Sequence, residues 1–141
     1  MTLAKMPPPW QCRFMGWAIR VAAAATAATA VHAFTPAITD VPWRVVEIEG
    51  KAIEDAGVLV FYKNQVGGQA ACNRLMGRWT PTEKGHAFAH IATTRMMCDE
   101  AKMAREQLLL KAMERMQSYK HEGLVLSLLD ADGKPLVKLQ Q

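Results

Sequence analysis

Between Trp43 and Ile91 the chain repeats one pattern. Short runs place apolar side chains at every second position and are separated by glycine, proline, asparagine and lysine. Residues two apart share a face of an extended strand, so such runs bury that face by pairing side by side. This half of the chain therefore reads as β strands. Trp43-Arg44-Val45-Val46-Glu47-Ile48-Glu49-Gly50 turns Trp43, Val45 and Ile48 inward, and the uneven spacing predicts a local irregularity between them. Residues 58–62, 65–72, 75–80 and 86–91 are the next strands. Gly67 and Gly68 predict a bulge or a close backbone approach. Residues 81–85 form a turn. In the last run His86, Phe88 and His90 share one face, and Ala87, Ala89 and Ile91 the other.

The period changes once. Residues 99–116 read as a helix whose inner stripe is Ala101, Ala104, Leu108, Ala112 and Met116, widened by Leu109 and Met113. Asp99 and Glu100 stand in the first turn, and Lys111 and Arg115 near the end, as the helix dipole favours. Residues 118–123 break the helix and place His121 in a loop. Residues 124–129 and 134–139 form a hairpin around Asp130-Ala131-Asp132-Gly133. The expected fold is mainly β (α+β), with one amphipathic helix packed on the sheet before a C-terminal hairpin.

The N-terminal part has a different character. Lys5, Arg13 and Arg20 are the only charged residues before Asp40, and residues 21–31 are almost all alanine and threonine. Val31-His32-Ala33 ends the stretch with small residues at the two positions a signal peptidase reads. Residues 1–33 are expected to be a secretory signal peptide cleaved after Ala33, or alternatively after Ala30. Translation from Met15 would leave a conventional short signal. Cys12 precedes the apolar run, so no lipobox is expected. Residues 34–42 form a short leader and residues 43–141 the folded domain.

Composition then decides what the domain is not. The chain of 141 residues has 17 lysines and arginines against 13 aspartates and glutamates, a net of +4. Cleavage removes three positive charges and no negative one, leaving a net of +1. The electrostatic argument for a nucleic-acid or anionic-lipid partner disappears with them. No run approaches the roughly 18 uncharged apolar residues of a membrane span. There is no Walker loop, HExxH, GxSxG, dinucleotide fingerprint or CxxC pair.

Three blocks carry a family resemblance. They are Trp43-x-Val45-x-x-Ile48-x-Gly50, then Gly68-x-x-x-Cys72-Asn73-Arg74-x-x-Gly77-x-Trp79, then Thr94-x-Met96-Met97-Cys98. In this order, followed by a helix and a hairpin, they resemble the META domain family, the HslJ-like bacterial heat-shock proteins. The resemblance spans residues 43–139. It implies a small antiparallel β-barrel-like sheet with one amphipathic helix packed on it before the C-terminal hairpin, an envelope location and a role in stress tolerance. It does not imply a known catalytic centre. Trp43, Gly50, Gly68, Asn73, Gly77, Trp79, Thr94 and Met97 are then expected to serve structure. The departure is the missing lipobox, which predicts a soluble periplasmic protein rather than a lipoprotein.

After cleavage two cysteines remain, Cys72 and Cys98, in an exported chain. An even count in an oxidising compartment favours a disulfide over two separate buried thiols. A loop of 26 positions gives about 3.5 kcal/mol in the chain-entropy treatment. A redox pair is disfavoured by the wide spacing. His86, His90, Cys72 and Cys98 can be drawn as a zinc set, but two histidines four strand positions apart span about 13 Å. No metal, cofactor or catalytic residue is expected. Asn73 and Thr94 suit left-handed backbone and capping roles. Met96, Met97, Met103, Met113 and Met116 read as core rather than as a soft binding surface. The expected function is non-enzymatic support of the envelope, through contacts with a protein or another envelope component that the sequence does not identify. The alternative is a barrel module holding a small ligand, and behind it a thiol redox factor or enzyme.

Overall fold

In the computed structural model, residues 37–141 are described. The expected signal peptide and both cleavage sites lie outside the described residues. The elements are β1 (Pro42–Ile48), β2 (Lys51–Ala52), β3 (Gly57–Phe61), β4 (Gln65–Ala70), β5 (Arg74–Thr82), β6 (Gly85–Thr93), α1 (Glu100–Arg115), β7 (Ser118–Glu122), β8 (Val125–Leu129) and β9 (Pro135–Gln140). The nine strands form one sheet in the order β6-β5-β4-β3-β1-β9-β8-β7, with β2 paired to β1. Every ladder between these strands is antiparallel. Two meanders, β3 to β6 and β7 to β9, meet on either side of β1. The helix joins the two outermost strands.

The mainly β antiparallel fold with one helix before a C-terminal hairpin is as expected, but the sheet is open, which corrects the closed barrel of the ligand-module alternative. No ladder joins β6 to β7, although the two ends come near each other. A Cβ on Gly85 of β6 would lie 3.1 Å from the Ser118 Cβ of β7. Aromatic rings bridge the seam instead: Tyr119 lies 5.3 Å from His86 and 5.5 Å from Trp79. Helix α1 touches β6 at one end of the sheet and β1 and β9 in its middle. A single helix reaches all three because the sheet curls around one apolar cluster. That cluster includes the fully buried Trp43, Leu59, Phe61, Leu75, Leu109, Met113, Leu126, Leu128 and Leu139.

Local irregularities set which residues face in. In β1 the register against β9 shifts between Val45 and Glu47, so Val45 and Ile48 both reach the core. The two-residue turn into β2 has positive φ at both Glu49 (49°) and Gly50 (79°), the backbone of a type I′ hairpin. In β5 and β6 the register shifts between Met76 and Arg78, and His90 takes φ 52°. The simple alternation of that strand is thereby corrected: beyond Phe88 it is Ile91 that packs on the core, while His90 is exposed. Pro81 and Thr82 continue β5, so the turn is only Glu83-Lys84. The chain before β1 also docks. Trp43 Nε1 donates to the Ile38 carbonyl at 2.9 Å, and the Asp40 N–H donates to the Phe61 carbonyl at 2.8 Å.

The helix forms where periodicity places it, but rotated. Asp99 is the N-cap, its carboxylate accepting from the Lys102 N–H at 2.9 Å. Its buried face is Glu106, Leu109, Ala112 and Met113, continued by Met116 just beyond the helix. Ala101 and Ala104 are exposed and Leu108 is 47% exposed, so the stripe centred on Leu108 is corrected by about one residue. The physical reason is Glu106. A carboxylate in the middle of the buried face made that face look polar. The loop expected after the helix is also corrected, because Ser118–Glu122 is strand β7. His121 lies within it, its ring edge-on to Trp43 at 5.5 Å.

Candidate functional site

The turn between β4 and β5, residues 71–73, leaves backbone N–H groups that no strand partner satisfies. Helix α1 supplies the acceptor. Glu106 Oε2 accepts from the Cys72 N–H at 3.2 Å and from the Asn73 N–H at 2.7 Å. Its Oε1 accepts from Asn73 Nδ2 at 2.9 Å. Asn73 passes the connection on: its Oδ1 accepts from Thr94 Oγ1 at 2.9 Å and from the Met96 N–H at 2.6 Å. Thr94 Oγ1 accepts in turn from the Arg74 N–H at 3.1 Å. The β4–β5 turn, the segment from β6 to α1, and α1 itself are thus tied at one junction.

A covalent link lies beside these hydrogen bonds. Cys72 and Cys98 are joined as a disulfide, with Cα atoms 6.0 Å apart. Cys72 is buried at 3% exposure, and Cys98 directly precedes the helix cap. Asn73 and Glu106 are 5% and 7% exposed. Burying carboxylate oxygens this deep is costly unless each is paired with donors, and here both are. Among the described residues no buried side-chain nitrogen or oxygen lacks a partner.

Sequence reasoning singled out Cys72, Asn73, Thr94 and Cys98, and the structure brings all four together. It missed Glu106. The available signal was spacing: Met103, Glu106, Leu109, Met113 and Met116 follow one helical face. Asn73 lacks the left-handed backbone expected of it and acts through its amide. Met97 is 88% exposed and Met96 is 54% exposed, so neither is core; Met96 contributes its backbone N–H.

The remaining family positions lie elsewhere in the sheet. Trp43 is fully buried and Trp79 is 3% exposed, the latter packed on Phe61 at 4.9 Å and Phe88 at 5.0 Å. A Cβ on Gly68 would run into the Val58 carbonyl oxygen. One on Gly77 would come 3.3 Å from Ile91 Cγ1. Gly50 makes the β1–β2 turn. His86 stacks on Trp79 at 4.8 Å. Among the described residues no three of His, Cys, Asp and Glu are grouped to hold a metal ion.

Chemically, the junction offers little to a substrate. General base work needs a carboxylate within hydrogen-bond reach of a reacting proton. Glu106 instead faces donors of its own chain on both oxygens. The arrangement restrains three chain segments against one another.

A model of the META domain family matches residues 36–141. The chain belongs to the META domain family. Solved structures agree on the fold. An NMR structure of a protein from Burkholderia xenovorans is 18% identical, with a TM-score of 0.58 over 73% of this chain and 82% of that one. A crystal structure of a DUF4847 family protein from Bacteroides vulgatus ATCC 8482 is 13% identical, with a TM-score of 0.54 over 73% and 93%. At such identities the likeness concerns the fold. No curated protein matches the chain. In this META domain the three sequence blocks map onto β1 with its turn, onto β4 and β5, and onto the segment entering α1.

Proposed function

We propose that this META domain protein is exported, and that it supports the envelope under stress through contacts with a protein or another envelope component, without a catalytic centre of its own. The observation that carries this reading is the Cys72–Cys98 bridge at the junction of sheet and helix. Bridges of this kind persist in oxidising compartments such as the periplasm. The basic, then apolar, then small-residue order of residues 1–33 supports the same location. Cys72, Asn73, Thr94 and Glu106 then serve the fold, and the outer surface serves the partner. Cell fractionation, N-terminal sequencing and in-cell crosslinking test the proposal. A periplasmic chain beginning at Phe34 and crosslinked to an envelope component is the expected result. An intact Met1 on cytoplasmic protein overturns it.

The second reading, a ligand-binding module, changes form. The interior of the curled sheet is filled by Trp43, Phe61, Trp79, Leu109 and Met113. A small ligand would therefore take the outer face. Native mass spectrometry of protein purified without refolding separates the two readings: a retained small molecule favours the second. Two free thiols in exported protein would favour a redox factor.

A further inference from the structure

The outer face of the sheet carries Arg44, Val58 and Gln69 in one row. Arg44 is opposite Val58 across β1 and β3, and Val58 is opposite Gln69 across β3 and β4. An open groove of about 370 Å³ lies over this row, with Asp55 and Lys102 also lining it. Arg44 and Asp55 have opposite charge and share the groove, yet among the described residues neither forms an ion pair. A second groove of about 280 Å³ continues from the first, sharing Arg44 and Val58 and adding Pro42, Val46 and Gln140. Pro42, Val46 and Val58 give it an apolar side, with Gln140 and Gln141 opposite in character.

The walls are braced. Arg105 Nη1 donates to the Glu54 carbonyl at 2.9 Å, fixing the segment that presents Asp55. Lys102 is held beside Asp99 at 3.7 Å. Gly57 lets β3 approach β4 closely, since a Cβ there would run into the Gln69 carbonyl oxygen. The backbone that presents Asp55 is thus ordered before binding, which lowers the cost of binding there.

We propose that these grooves bind a short peptide-like zwitterion, a dipeptide with an apolar C-terminal side chain. Arg44 takes the carboxylate through its planar fork. Asp55 takes the ammonium. The C-terminal side chain of the ligand covers Val46 and Pro42. Two opposite charges in one groove without an ion pair between them are the complement of a zwitterion. The first groove is at the small end of the ~300–1,000 Å³ usual for small-molecule sites. Because the grooves are open, the affinity is expected to be weak, with Kd on the order of 1 mM. The inference goes beyond the envelope-contact reading and stands without it, since it needs neither export nor a protein partner.

The test is an NMR titration of the purified full chain with glycyl-leucine, following the backbone amides of Gly57, Val58, Gln69 and Ala70. Saturable shifts confined to these residues are expected. Arg44→Gln and Asp55→Asn should each raise Kd about tenfold or more. On the unmodified protein, N-acetylated and C-amidated glycyl-leucine should each bind about tenfold more weakly or worse. Acetylation should make binding indifferent to Asp55→Asn. No saturable shift with glycyl-leucine, an affinity unchanged by either substitution, or binding that survives acetylation overturns the proposal. The blocked peptides keep the test decisive even if a variant fails to fold. Failure here leaves the envelope reading untouched, whose test is location and crosslinking.

Discussion

Asn73 donates to Glu106 twice, through its backbone N–H at 2.7 Å and its side-chain amide at 2.9 Å. The two residues are 33 positions apart in sequence. One side chain of the helix thus substitutes for the strand partner that the β4–β5 turn lacks. The arrangement is asymmetric in its consequences, because removing the acceptor leaves buried donors behind.

Glu106→Ala should destabilise the domain by about 1–3 kcal/mol, as buried N–H groups of Cys72 and Asn73 lose their acceptor. Glu106→Gln keeps one carbonyl oxygen for those N–H groups but sets its amide against Asn73 Nδ2, so a smaller loss is expected. Urea unfolding of the three proteins checks the order. Equal stability of Glu106→Ala and the parent would mean that the junction holds nothing.

The rotated helix face gives a second contrast. Leu109 is fully buried and Leu108 is 47% exposed. Leu109→Ala should cost about 2–5 kcal/mol, through lost burial and the cavity left behind. Leu108→Ala and the exposed Lys111→Ala should each stay within about 1 kcal/mol. Thermal and urea unfolding of single variants resolve a difference of that size.

The bridge and the hydrogen bonds restrain the same segment, so their effects should not add. Cys72→Ala with Cys98→Ala is expected to lower stability by about 2–5 kcal/mol while the topology persists. Combined with Glu106→Ala, the total should depart from the sum by more than about 0.5 kcal/mol. A double-mutant cycle measures this, and hydrogen exchange in the first turns of α1 shows where the loosening occurs.

The helix cap gives a pH dependence of known sign. The Lys102 backbone N–H holds the Asp99 carboxyl below its ordinary value, with the Lys102 ammonium assisting. The native value is lower than the unfolded one, so the stabilisation is present above the usual aspartate range and is lost as pH falls through the native value. Asp99→Asn keeps a capping oxygen but does not titrate. The stability advantage of the parent over Asp99→Asn should therefore shrink on acidification below the usual aspartate range. Unfolding midpoints of the two proteins at a series of acidic pH values report it.

Most strands were legible because burial on one face writes itself into every second residue. Even the β1 bulge showed, in the uneven spacing of Val45 and Ile48. Strand β7 did not show, because Ser118-Tyr119-Lys120-His121-Glu122 carries no apolar alternation; it forms at the sheet's end by pairing with β8. The helix was legible but its face was not, since Glu106 is charged and a pattern of apolar residues skips it. Asn73 and Thr94 could be recognised as unusual, but their purpose depends on a partner that is distant in sequence. The open seam between β6 and β7 was illegible for a related reason. The rings that meet across that seam, Trp79 and His86 on one side and Tyr119 on the other, come from positions far apart in sequence.

The order of the strands has a consequence for how the domain is made. The centre of the sheet joins its first strand to its last: Arg44 is opposite Gln140 and Val45 opposite Leu139. A growing chain can build the β3–β6 meander early, from neighbours in sequence. Strand β1 must then wait with one edge unpaired until β9 emerges beside it. Pairings this distant are slow to find, and an unpaired edge is open to other chains in the meantime. The sheet's middle, rather than its rim, is the last part to be secured, and the period before β9 arrives is when this protein is most exposed to mispairing.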